Sequence, residues 1–288
     1  VPENLVHVDI NPKVFNANYP AKVAIPGDAR AVLRELLRVL DAKPRRNADG
    51  ALREQIRDDK AAYRESWVRS DTAGLVNPAR FFAGLRTSMP DDGIIAIDDG
   101  NHTFLTAELM PIHAPKSVIL PTDFNCMGYA VPAAIGAKLA FPDRSVQAIV
   151  GDGAFMMTCM EIVTAASNGL GIVYYVFNDG ELAQIGQAQA LPYARKPCTT
   201  LGRLNIEGVA MATGAAYLAM NDNDAIAGVI AKAGEIAGEG RPVIVDVRID
   251  YSKKTAFTLG TVKTNFGRFP LNEKLRFLSR AAIRHVTG

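Results

Sequence analysis

The sequence predicts an α/β fold, a doubly wound and mostly parallel sheet with helices on both faces, and three observations predict it. Four short runs rich in Val and Ile, at Ile94 to Ile97, Val146 to Val150, Ile172 to Phe177 and Val243 to Val247, lack the regular polar alternation of a half-exposed strand. Such runs suit strands buried on both faces. Stretches of helical apolar spacing lie between them, the pattern of strand, helix and strand that builds a parallel sheet. With 288 residues, 48% hydrophobic and 22% charged, the chain can bury one large core or two modest ones, which excludes a disordered tail and a disulfide-held miniprotein.

The charge balance narrows the function classes. Thirty-two basic against 30 acidic residues leave a formal charge of +2, so neither nucleic acid nor an anionic membrane surface is an expected partner. A small-molecule enzyme is the default. Cys126, Cys159 and Cys198 are odd in number, far apart and without metal-ligand histidines nearby, which argues for reduced thiols and against structural zinc. No apolar run approaches the roughly 20 residues of a membrane span. A soluble, cytoplasmic protein is expected.

Taken in order, the chain enters a strand pattern almost at once, Leu5 to Ile10, as a sequence joined in mid-domain would. Val23-Ala24-Ile25 reads as a second strand, Gly27-Asp28 as a turn, and Ala31 to Leu40 as a helix with Val32, Leu33, Leu36, Leu37 and Leu40 on one side. Residues 1–42, two strands and a helix, are too little for a domain of their own. Residues 43–76 are charge-rich, with Pro44, Gly50 and a sparse stripe of Leu52, Ile56, Tyr63 and Trp67, and read as a linker with a largely solvated connecting helix. Residues 77–250 hold the four strand runs, with helices expected at Pro78 to Ser88, Tyr129 to Leu139, Ala154 to Ser167, Ile206 to Thr213 and Ala225 to Ala237. Residues 251–288 are basic and irregular in composition and read as a tail packed over another element. The segment from Glu181 to Leu204, with Gly186, Pro192, Pro197 and Gly202, has the composition of a mobile active-site loop.

The chemistry concentrates where Val146 to Val150 runs into Gly151-Asp152-Gly153, then a helix, then Val173 to Phe177 and Asn178-Asp179. Asp152 leaves its strand at the carboxyl end, where open parallel sheets place ligands, and Gly153 lets a phosphate approach the backbone at a helix start. Asp179 follows 27 residues later, after one crossover, so both carboxylates reach the same sheet edge. Two hard oxygen ligands beside an anion site suggest Mg²⁺ or Ca²⁺. Taken alone, Gly-Asp-Gly is an ordinary turn and Asp179 an ordinary loop acid.

In combination the segment resembles the cofactor signature of thiamine diphosphate enzymes, a Gly-Asp-Gly followed after one crossover by an Asn-rich turn. Here that turn is Asn178-Asp179-Gly180, with Asp179 in place of the usual second Asn. The resemblance implies Mg²⁺ held by Asp152, Asp179 and the backbone carbonyl of Glu181, with Leu182 beside the cofactor. Ala154 stands where many members carry Ser, and keeps only its N–H for the diphosphate. Asp99-Gly100-Asn101-His102-Thr103 looks like the turn that reaches the diphosphate from the other side, through Gly100, Asn101 and His102. Outside that context His102 reads as a surface loop histidine. Asp123 to Gly128, followed by Val131 to Gly136, is similar to the segment that cradles the aminopyrimidine in acetolactate-synthase-like members, through Asn125 and Met127. Met127 is then the apolar wedge that bends the cofactor, where its commoner use would be core filler.

The resemblance covers essentially the whole chain and identifies it as the carboxyl-terminal half of such an enzyme: Val8-Asp9-Ile10-Asn11-Pro12 followed by Gly27-Asp28-Ala29 resembles the last strand, turn and helix of the family's middle domain, which makes residues 1–42 a remnant of that central domain. It implies decarboxylation or carboligation of a 2-keto acid, with the cofactor as electron sink. The activating glutamate then belongs to a separate pyrimidine-side domain, usually of a neighbouring subunit, and a homo-oligomer, dimer or tetramer, is expected. In flavin-containing relatives the positions of Asp9 and Asp28 approach FAD, and flavin-free members show a similar segment. A flavin-linked oxidase, a non-catalytic cofactor-binding subunit and an unrelated nucleotide binder are the alternatives. Phe155, Met156, Cys159, Ile162, Val163 and Ala166 recur at helical spacing, so Met156 and Cys159 are expected to pack, and Glu161 reads as a structural acid. Gln184 and Gln187 are candidates to meet substrate. Acetolactate synthases place a tryptophan nine residues beyond the position of Asp179; Ala188 stands there, implying a roomier pocket and a keto acid bulkier than pyruvate.

Overall fold

The computed structural model describes residues 3–43, 50–72, 74–122 and 124–287. Asp123 and residues 44–49 of the expected linker lie outside the described residues. The chain divides into two compact units, Val1–Asp59 and Lys60–Gly288.

In the first unit, β1 (Val6–Asp9) and β2 (Val23–Pro26) pair in parallel, with Val6 opposite Val23 and Asp9 opposite Pro26. The helix α1 (Ala29–Asp41) starts at Asp28, whose carboxylate accepts from the Ala31 N–H at 2.9 Å, a cap that satisfies one orphan donor of the first turn. The predicted stripe is present, but Leu33, Leu36, Leu37 and Leu40 stand exposed. Two strands and a helix bury none of these described residues. The helix α2 (Gly50–Val68) follows, and the boundary between the units falls inside it.

In the second unit, the end of α2 buries Trp67 to 1% exposure, so the connecting helix is anchored at that end while Leu52 and Ile56 are exposed. Then come α3 (Pro78–Ser88), β3 (Ile94–Ile97), α4 (Asn101–Leu109), β4 (Val118–Ile119), α5 (Ala130–Ala140) and β5 (Val146–Gly151). These are followed by α6 (Asp152–Thr158), a 3-10 turn at Cys159–Glu161, α7 (Ile162–Ser167), β6 (Ile172–Phe177), α8 (Ala183–Tyr193) and α9 (Ile206–Thr213). The last elements are β7 (Ala216–Met220), α10 (Ala225–Gly238), β8 (Val243–Val247), α11 (Ala256–Arg268) and α12 (Leu271–Thr287). The six strands β3 to β8 form one wholly parallel sheet in the order β4-β3-β5-β6-β8-β7.

Strand side chains alternate between two cores. Ile95, Ile97, Ile149, Tyr175 and Phe177 pack with α3, α4 and α10 on one face. Ile94, Ala96, Val150, Tyr174 and Val176 pack with α5, α6, α7 and α9 on the other. Both faces are covered, which is why these strands read as apolar runs. Before β6, a Cβ at Gly171 would overlap the Ala237 carbonyl oxygen of α10. Gly171→Ala is therefore expected to destabilise the chain by roughly 1 to 3 kcal/mol, the usual cost of overpacking, read as a lowered denaturation midpoint.

Three expectations are corrected. The expected helix from Ala154 to Ser167 is broken because Thr158 leaves helical dihedrals (φ −138°, ψ 10°) and its hydroxyl donates to the Gly128 carbonyl at 3.1 Å. The buried stripe nonetheless keeps its helical phase: Phe155, Cys159 and Ile162, at i, i+4 and i+7, are buried, whereas Met156, expected to pack, and Val163 are exposed. The expected loop from Glu181 contains α8, and the expected irregular tail consists largely of α11 and α12. Among the described residues, no helix is long and apolar enough to cross a membrane.

Candidate functional site

The segments leaving the carboxyl ends of β3, β5, β6 and β8 meet at an open cavity. This is the edge at which parallel sheets bind ligands, because the helices that follow open their N-termini there.

From β5, Asp152 opens α6 and is buried. Its Oδ1 accepts from the Gly153 N–H at 2.7 Å, and its Oδ2 from the Gly180 N–H, also at 2.7 Å. One carboxylate thus ties the β5 turn to the β6 turn. Gly153 brings the cavity wall in close: a Cβ there would stand 2.6 Å from Leu182 Cδ2. Ala154 follows it in the lining. From β6, Asp179 lines the same cavity. Burial first, then the charge of Asp152, pushes the Asp179 carboxyl up to about 7, although the residue as a whole is exposed. Burial also raises Asp152, against the N–H groups that favour its charged form.

Two neighbouring acids whose ionisation is mutually opposed make a place where a cation would be welcome. Among the described residues no group of three or more His, Cys, Asp or Glu side chains is placed to hold a metal, so the donor set available is these two carboxylates with main-chain oxygen. The Glu181 carboxylate is engaged elsewhere, at 3.0 Å from Lys196 Nζ and 3.1 Å from the Thr199 hydroxyl. Glu181 nonetheless lines the cavity, and Leu182 donates its N–H to the Thr199 carbonyl at 2.7 Å. The segment carrying α8 is therefore closed at its neck, and Gly186 leaves the space that the Glu181 carboxylate occupies.

From β3, Gly100 (φ +153°) leads into α4, whose first residues are Asn101 and His102. They are 8% and 3% exposed. The surface-loop reading of His102 is thus corrected, because its ring lies against the backbone of two glycines: a Cβ at Gly100 would come within 2.6 Å of His102 Cε1, and one at Gly151 within 3.0 Å. Burial lowers the His102 pKa to about 3, against the pull of a backbone bond to Asp98, so the ring is neutral at physiological pH. Asn101 Nδ2 and His102 Nε2 are buried without hydrogen-bond partners. Buried polar atoms are rarely left so, and two at one cavity fit a bound polar group.

Met127 reaches the cavity from the segment between β4 and α5, while Asn125 is exposed, in the left-handed region (φ 54°), and does not line it. Gln184 on α8 lines the cavity; Gln187 lines a smaller adjoining cleft with Asn101 and Tyr251; Ala188 is exposed and lines neither. In the first unit, Asp9 accepts from the Asn11 N–H at 2.7 Å and Asp28 caps α1, so both carboxylates have local structural work.

Two residues at the site were not singled out in the sequence. Tyr251, after β8, lines the cavity, and burial with the charges of Asp179 and Asp152 holds its hydroxyl well above the usual range. Asp98, wholly buried at the end of β3, holds loop N–H groups. An acid between an apolar strand and Asp99-Gly100 is a signal for Asp98; Tyr251 sits in a basic stretch that offers none.

The raised Asp179 pKa carries a sign. The folded, metal-free chain binds this proton more tightly than the unfolded chain, so ionising it opposes folding: stability falls as pH rises from the ordinary Asp value of 3.8 towards about 7. The expected result is a denaturation midpoint in chelator that declines across this window, with a flatter profile in Asp179→Asn. Equal slopes for both chains would contradict it.

The family described as thiamine pyrophosphate enzyme, C-terminal TPP binding domain, matches residues 98–247. The acetolactate synthase isozyme 1 large subunit of Escherichia coli is 29% identical over 87% of this chain and 43% of its own length. The acetolactate synthase large subunit of Corynebacterium glutamicum is 31% identical over 84% of this chain and 39% of its own. A protein of Pseudomonas aeruginosa named as a probable 2-ketoarginine decarboxylase is 33% identical over 63% and 32%. The chain thus spans about two fifths of the length of the two synthase subunits.

Proposed function

Because the chain belongs to the thiamine pyrophosphate enzyme family, through that family's C-terminal cofactor-binding domain, we propose that it holds the diphosphate end of thiamine diphosphate through Mg²⁺ in the decarboxylation or carboligation of a 2-keto acid. The observation that carries this reading is the convergence of Asp152 and Asp179 with the unpartnered polar atoms Asn101 Nδ2 and His102 Nε2 on one cavity.

When bound, the cofactor supplies the electron sink for the bonding pair released as carbon dioxide leaves. The chain's own residues bind and orient. Asp152, Asp179 and the Glu181 carbonyl offer hard oxygen to Mg²⁺. Asn101 Nδ2 donates to diphosphate oxygens, the neutral His102, whose one ring proton is engaged with the Asp98 backbone, packs beside them, and the Ala154 N–H faces them at the start of α6. Met127 supplies an apolar wall, and Gln184 and Gln187 on α8 present amides to the substrate. The Glu181 side chain is tied to Lys196 and Thr199, so the proton relay to the pyrimidine ring is assigned to a separate domain, most simply that of a neighbouring copy in a homo-oligomer. The local bonds of Asp9 and Asp28 account for both carboxylates, and the proposal includes no flavin.

Calorimetric titration with thiamine diphosphate, with and without Mg²⁺, alongside NAD and ATP, tests this. Binding of thiamine diphosphate that requires Mg²⁺ is the expected result. Binding of NAD or ATP in its place would make the chain an ordinary doubly wound nucleotide binder.

A further inference from the structure

Asp98 is 0% exposed at the end of β3, and burial raises its pKa. A buried carboxylate is costly unless hydrogen bonds compensate it. Here Oδ1 accepts from the Gly128 N–H at 2.8 Å and the Asp99 N–H at 3.0 Å, and Oδ2 from the Ala130 N–H at 2.7 Å. The other side of Gly128 is held as well, since its carbonyl accepts from the Thr158 hydroxyl at 3.1 Å, at the point where α6 breaks. Gly128 itself has φ +83°, and a Cβ there would lie 3.2 Å from both Met157 Cβ and Thr158 Cγ2. The chain is thus gripped at one residue from β3 and from α6. The preceding residue is Met127, whose Cε lies 3.5 Å from where a Cβ of Gly153 would stand.

We propose that Asp98 and Thr158 clamp Gly128 and thereby set how far Met127 reaches into the cavity, which makes both of them positioning residues for the cofactor site. The role of Met127 toward the cofactor rests on the function proposed above; the clamp itself rests on the bonds to Gly128.

The test uses the 288-residue chain with ¹³C-methyl methionine and two variants, Asp98→Asn, which turns one acceptor into a donor facing an N–H, and Thr158→Val, which removes the hydroxyl at constant shape. Without cofactor, both variants should shift or broaden the Met127 methyl signal, identified by Met127→Leu, and leave that of Met220, in the opposite core, in place. With thiamine diphosphate and Mg²⁺, each should weaken binding roughly tenfold, the loss of one hydrogen bond to a loop that must hold its place. In a Met127→Ala background the same changes should cost little more, because residues acting through one another are not additive. An unmoved Met127 methyl, or fully additive losses, would overturn the clamp. A displaced methyl in a chain that never binds thiamine diphosphate would leave the clamp standing and overturn the proposed function instead. Should Asp98→Asn fail to fold, Thr158→Val, at a half-buried hydroxyl, decides by itself.

Discussion

Asp152→Ala is expected to abolish Mg²⁺-dependent binding of thiamine diphosphate, a loss of roughly 10²-fold or more in affinity, since even residues that only support a ligand cost 10- to 100-fold. The magnitude follows from two functions of one carboxylate. It is one of the acids proposed to hold the ion, and it joins the β5 and β6 turns by accepting from the N–H groups of Gly153 and Gly180. Its removal takes away a hard oxygen ligand and frees the turn that carries the other, Asp179. Asp179→Asn behaves differently. Asn keeps an oxygen ligand and removes the charge that Asp152 opposes, so affinity changes by less than about tenfold. Calorimetry on both variants, with thermal denaturation to show that each is folded, measures this pair of outcomes. Complete loss of binding in Asp179→Asn would mean that the metal site is wrongly placed.

The second large effect is catalytic. The 288-residue chain, supplied with thiamine diphosphate and Mg²⁺, is expected to turn over 2-keto acids at a rate lower by roughly 10² to 10⁴ than the same chain joined by a pyrimidine-side domain, the usual contribution of a positioned proton-transfer group. The acids lining the cavity are accounted for: Asp152 and Asp179 face the proposed metal, Glu181 is bonded to Lys196 and Thr199, and Asp99 follows β3 beside Asn101 and His102. Glu161, the other acid near the diphosphate helix, is exposed and outside the cavity lining. Steady-state decarboxylation of pyruvate and of branched and aromatic 2-keto acids, by the chain alone and with the added domain, provides the comparison. Full activity from the lone chain would refute the assignment of the relay to another domain.

Much of this site was legible in sequence because its chemistry is local. Asp152 and Asp179 each end a strand, and the strand, turn and helix spacing between them puts β5 beside β6, with Val146 opposite Ile172 and Gly151 opposite Phe177. Once those strands are recognised as buried on both faces, the meeting of the two carboxylates follows from geometry. Helices such as Pro78–Ser88 and Ile206–Thr213 were equally readable, since Asn77 and Asn205 cap them with their own side chains. By contrast, α8 hides behind a composition typical of loops. Gly186 is tolerated within it because the Glu181 carboxylate fills the space a side chain would take, a contact that sequence periodicity cannot express.

By itself, the amino-acid order determined the parallel sheet and the placing of Asp152 and Asp179 at the same end of it, since each depends on residues within one strand and its following turn. Only the tertiary structure decided that His102 is buried and neutral between two glycine backbones, that α6 ends at Thr158, that Tyr251 lines the cavity and that Asp98 grips the loop before α5. Each of these depends on a partner brought from elsewhere in the chain. Asp98 meets Gly128 across 30 residues, and Thr158 meets the same glycine from 30 residues on its other side. A hydrogen bond between segments so far apart leaves no periodic trace in either one; it exists only once the sheet has set the spacing between them.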